Sequence, residues 1–128
     1  RQELARILAE ETKLMEIVKL MGSDVLPDDQ KLVIEVAKLV RVGYLQQNAF
    51  HPDDTYVPLE KQLKMMEVIL YLYKRGKEVV SAGKPIRLIL ETGIFDRVVK
   101  MKYDVPNNNL ALFDDYYKEI DEAVASID

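Results

Sequence analysis

Apolar residues return every three or four positions along most of this chain, the spacing that gathers them on one face of an α-helix. Leu4, Ile7, Leu8, Leu14, Met15, Val18 and Met21 mark a first amphipathic helix over residues 3–21. Gly22 follows where a left-handed residue commonly ends a helix. Ser23 to Gln30 reads as a turn: Pro27 suits a first helical turn, and Asp28 and Asp29 suit the positive end of a helix dipole. A second helix, from about 28 to 46, carries Leu32, Val33, Val36, Ala37, Leu39, Val40 and Tyr44. That apolar face is wide, which predicts burial against more than one neighbour.

Pro58 opens a third helix with Leu59, Leu63, Met66, Ile69, Leu70 and Tyr73 on its apolar face, and Gly83-Lys84-Pro85 closes it. Residues 86–91 and 94–102 read as two short helices divided near Thr92-Gly93, and Val105 to Asn109 is the next break. A last helix from about 110 has the cleanest stripe: Phe113, Tyr116, Ile120, Val124 and Ile127. No segment alternates with a period of two. The pattern predicts an all-α fold, a bundle of about five to six helices in a single helical domain over residues 1–128.

Composition narrows the chemistry. With no cysteine there is no disulfide framework, thiolate nucleophile or cysteine-bound metal, and one histidine, His51, makes a histidine metal centre or a serine–histidine pair a poor reading. A net charge of −4 with scattered lysines and arginines offers no basic stripe for nucleic acid. No apolar run approaches the ~18 residues of a membrane span, so no direct membrane insertion is expected. The opening Arg1-Gln2-Glu3-Leu4 already reads as helix interior, the expectation for a fragment of a longer chain.

Candidate reactive groups are sparse. The five glycines are isolated, so there is no phosphate-cradling loop. The acidic pairs Asp28/Asp29, Asp53/Asp54 and Asp114/Asp115 fall near helix starts, where capping and the dipole already account for them. Met65/Met66 and Tyr71/Tyr73 suit a core better than a cofactor box. No catalytic residue and no metal ligand emerges. The unusual stretch is Tyr44 to Tyr56, which joins two apolar helices with amides, Asp53-Asp54 and the aromatics Tyr44, Phe50 and Tyr56. By itself such a loop reads as a plug over a helical core.

Two segments carry a resemblance. Met15 to Leu32, with Asp24, Leu26, Asp28 and Asp29, resembles the region of rotary ATPase catalytic subunits where the F-type beta subunit has its acidic Asp-Glu-Leu-Ser-Glu-Glu-Asp motif. Val25, Pro27 and Gln30 depart from that motif and lower its charge. Tyr44-Leu45-Gln46-Gln47-Asn48-Ala49-Phe50, followed by Asp54-Thr55-Tyr56 and Pro58 to Gln62, is similar to the catalytic alpha chain of A-type and V-type ATP synthases. Val98 to Tyr103 fits the same family, and the similarity covers about residues 3–103.

The resemblance implies the C-terminal helical domain of the catalytic chain of a proton- or sodium-coupled A/V-type ATP synthase. It implies that Phe50, Tyr56, Gln47 and Asn48 stand near the adenine of ATP or ADP, and that Asp24, Leu26, Asp28 and Asp29 contact the central stalk. It implies Mg2+ with the nucleotide in the intact chain, and no cofactor or catalysis in this piece, which lacks the phosphate-binding loop. The implied partners are the B subunits and other A subunits in an alternating hexamer, together with central stalk subunits. The implied location is peripheral, on the cytoplasmic side of the cell membrane. The competing reading is a free-standing helical protein–protein interaction module.

Overall fold

The computed structural model describes residues 2–42 and 57–127. Among them are seven α-helices: α1 (Gln2–Met21), α2 (Asp28–Val40), α3 (Leu59–Ser81), α4 (Ile86–Glu91), α5 (Ile94–Val99), α6 (Met101–Asp104) and α7 (Phe113–Ile127). Short 3-10 turns at Ser23–Val25 and Leu110–Leu112 lead into α2 and α7, and the described residues contain no strand. The periodicity of the sequence thus becomes an all-α bundle.

The core is organised around α2. Leu32, Val36, Ala37, Leu39 and Val40 are buried, and they fill two faces of the helix because α1 packs on one side and α3 on the other. Leu32 meets Gly76 of α3, and Asp28 lies beside Val80 and Ser81, so α2 and α3 run antiparallel. Gly76 lets Leu32 press against the α3 backbone: a Cβ there would sit 2.9 Å from Leu32 Cδ1, so the leucine would have to shift. On its other side α3 packs against α7, where the Tyr71 and Tyr117 rings meet edge to face at 5.1 Å. Tyr71 Oη donates to Asp121 Oδ1 at 2.5 Å across the same contact.

Two expectations need correction, and a third falls partly outside the described residues. The α-helical part of the second helix stops at Val40, and Arg41 and Val42 form a wider π turn. Residues 43–46 lie outside the described segment. The helix expected over 94–102 breaks at Lys100, whose backbone (φ −94, ψ 0) leaves α geometry. The break turns Met101 and Lys102 into the core, where both are fully enclosed. The inward face of α3 is also offset at its start: Leu59 and Leu63 are exposed, and Lys61 is buried in their place.

Candidate functional site

The turn between α1 and α2 has the surface chemistry of a contact site. Gly22 ends α1 with φ +87, a left-handed conformation that a side chain would strain, and its N–H bonds Val18 O at 2.8 Å. The chain then makes the 3-10 turn and reaches Pro27, whose extended backbone launches α2. One residue nails this tip to the body: Leu26 is 5% exposed. Around it the usual distribution is reversed. Leu20 is 84% exposed, Met21 70% and Val25 52%, with Ile17 a turn behind them. Ile17, Leu20 and Met21 follow at i, i+3 and i+4, so they form one apolar ridge.

The sequence-predicted tip residues divide. Asp24 and Asp29 are exposed, and Asp28 is half-buried. Asp28 does not cap its own helix; its Oδ2 accepts the Ile86 N–H at 3.2 Å and so satisfies the start of α4. Leu26, expected as a contact, faces inward and serves as the anchor. The sequence did not single out Leu20, Met21 and Val25 as exposed apolar residues, since Met21 continues the core stripe of α1. The readable signal was a pair of apolar residues just before a helix-ending glycine.

The other predicted group, Phe50, Tyr56, Gln47 and Asn48, lies outside the described residues, as do His51 and the Asp53/Asp54 pair. The described structure on the α3 side of that stretch holds an unexpected feature. Lys61, in the first turn of α3, is fully buried. Its Nζ donates to Lys102 O at 2.8 Å and to Asn107 Oδ1 at 2.9 Å. A buried ammonium is tolerated only when acceptors replace its water, and these two come from α6 and from the turn before α7. Lys61, Lys102, Tyr103 and Asn107 make further interactions as well. Periodicity pointed to this lysine: 61, 65, 68, 69 and 72 share the inward face.

Two more polar links stiffen the body. Glu11 is buried in the stripe of α1 and accepts from Arg41 Nε at 2.9 Å and from the Arg41 terminal nitrogen, tying mid-α1 to the end of α2. Arg97 on α5 pairs with Glu119 on α7 at 3.0 Å and lies over the Tyr116 ring at 4.4 Å. No group of three or more metal-ligating side chains assembles among the described residues. No helix among them is long and apolar enough to cross a membrane. Among the described residues no constellation for bond-making assembles.

Comparison with known proteins shows the family. Residues 1–89 match a family described as the C-terminal domain of V and A type ATP synthase. The V-type ATP synthase alpha chain 2 of Clostridium tetani is 48% identical over 126 residues, which covers 98% of this chain and 21% of that protein. The V-type ATP synthase alpha chain of Halothermothrix orenii is 42% identical over 122 residues, 95% of this chain and 21% of the relative. The A subunit of the A-type ATP synthase of Methanopyrus kandleri is 42% identical over 123 residues, with the same two shares, 95% and 21%. The chain thus spans about a fifth of the length of these curated relatives.

Proposed function

This chain belongs to the C-terminal domain family of V- and A-type ATP synthases, and on that premise we propose that it is the lever that links ATP turnover to rotation. In the intact catalytic chain, nucleotide with Mg2+ is bound and turned over in the upstream domain. That change of state swings this bundle as a near-rigid body. The α1–α2 tip then bears on the central stalk and transmits the motion to ion transport. The assembly is an alternating hexamer of A and B subunits, peripheral to the cytoplasmic side of the membrane. A free-standing interaction module is not favoured, because relatives from ATP synthases align over nearly the whole chain.

The observation that carries the proposal is the tip itself. A bundle with a continuous buried core leaves Leu20, Met21 and Val25 in water beside Asp24. An apolar ridge costs solvation unless a partner covers it, and contiguous exposed apolar surface marks interaction sites. The contact is thus mainly apolar, with Asp24 and Asp29 at its edge. Phe50, Tyr56, Gln47 and Asn48 are assigned to the adenine side on sequence resemblance. A stiff body suits the lever, since close packing transmits displacement with little internal give.

The test replaces Leu20, Met21 and Val25 together by Ser in the full-length catalytic chain within the assembled enzyme. ATP-driven ion transport should fall well below the remaining ATP hydrolysis, since the lever loses its grip on the stalk. Unchanged coupling would overturn the assignment of the tip.

A further inference from the structure

A slot of about 320 Å3 opens on the face of the bundle where α1 and α4 lean over α2. Its walls are apolar: Met15 and Val18 from α1, Ile34 from α2, Ile86 and Leu90 from α4. The volume falls at the lower end of the range for small-molecule sites, which are typically apolar with a few charged or polar groups at the rim. Methionine and leucine side chains line the opening, and Met15 is flexible enough to adjust to an occupant.

The rim charges select the occupant. Glu11 is engaged by Arg41. Glu35 is engaged by Lys38 at 3.1 Å. Lys31 remains: among the described residues no carboxylate lies within ion-pair distance of its ammonium. The slot therefore combines apolar walls with one uncommitted positive charge. We propose that it is a binding site for a single-chain aliphatic carboxylate, with its hydrocarbon chain between α1 and α4 and its carboxylate at Lys31. This assignment stands apart from the stalk contact, because the slot and the exposed tip ridge share no residue. An occupant would join α4 to α1 directly, across the groove that now separates them.

Decanoate is the probe. It is titrated into the 128-residue chain below its micellar range, with hexanoate, octanoate and decanol in parallel, while the methyl resonances of Met15, Val18, Ile34 and Leu90 are followed. Saturable one-to-one shifts confined to those methyls are expected, with affinity rising about fourfold per added methylene until the slot is full. Decanol should bind more weakly than decanoate, and Lys31→Met should cost decanoate roughly two- to fivefold while leaving decanol unchanged. Leu90→Glu, at a partly exposed wall position, should abolish binding in a chain whose methyl spectrum remains dispersed. Non-saturating shifts, shifts spread over the whole bundle, or binding retained in Leu90→Glu would overturn the site. Equal binding of decanol and decanoate, indifferent to Lys31→Met, would overturn the carboxylate.

Discussion

Two ends of this bundle break the rule of apolar inside and charged outside, in opposite directions. At the α1–α2 tip, Leu20 and Met21 stand in water. At the start of α3, Lys61 is sealed in the core and holds Lys102 O and Asn107 Oδ1. The two cost the isolated domain free energy for different reasons. Exposed leucine forgoes burial worth about 1.5–3 kcal/mol per large side chain. A buried ammonium loses hydration that only well-placed acceptors offset. The tip looks outward, and its shape makes sense once a partner covers it. The Lys61 joint looks inward and fixes how α3, α6 and the turn before α7 sit together.

This contrast is broken most readily at Leu26. Leu26→Ala empties the anchor beneath the tip and should lower the unfolding free energy by about 3 kcal/mol, measured by urea denaturation. Next in size is Lys61→Met, which keeps the bulk but removes the donor from two buried acceptors. A loss of about 2 kcal/mol is expected, with faster amide exchange at residues 103–109. A gain in stability there would show that the lysine is tolerated and the joint contributes nothing.

Much of this was legible in the sequence. The stripes on α1, α2 and α7 located the core because a period of 3.6 leaves one face to bury, and Gly22, Pro58 and Gly83 punctuated the helices as local chemistry requires. Two things were hidden. Lys61 was not singled out although its position shares the inward face of α3, because residue type outweighs position until the acceptors from α6 and Asn107 are known. Met21 looked like core, because a stripe says which side of a helix is apolar and not how far the neighbouring helix extends. Leu26 and Asp28 also make contacts within the bundle that the sequence does not announce, because their partners, the core and the Ile86 N–H, are distant in sequence.

A smaller effect separates charge burial from hydroxyl burial. Tyr116 is enclosed, and among the described residues its hydroxyl has no hydrogen-bond partner. Tyr116→Phe should therefore stay within about 1 kcal/mol of the parent at neutral pH. Burial raises the Tyr73, Tyr116 and Tyr117 phenols above their ordinary value of 10.0, and the bond to Asp121 raises Tyr71. A folded-state value above the unfolded one means stabilisation that is fully present below about pH 10 and lost as pH climbs through the folded values. Stability should be flat up to about pH 9 and fall steeply in alkali, and Tyr116→Phe should make that fall shallower. The smallest change expected is Leu20→Ser, within about 0.5 kcal/mol in the isolated domain, because nothing in the bundle covers that side chain.

The central claim is that the exposed ridge of the tip meets the rotating stalk, and one measurement addresses it directly. These 128 residues contain no cysteine, so in an enzyme whose other cysteines have been replaced Leu20→Cys supplies the single thiol. In the assembled enzyme, a short thiol-to-amine crosslinker applied at Leu20→Cys should join this chain to the central stalk and stop ATP-driven rotation. The same reaction at an exposed position away from the tip, Lys118→Cys, should leave rotation intact. Crosslinks at position 20 that never reach the stalk, with rotation undisturbed, would contradict the account.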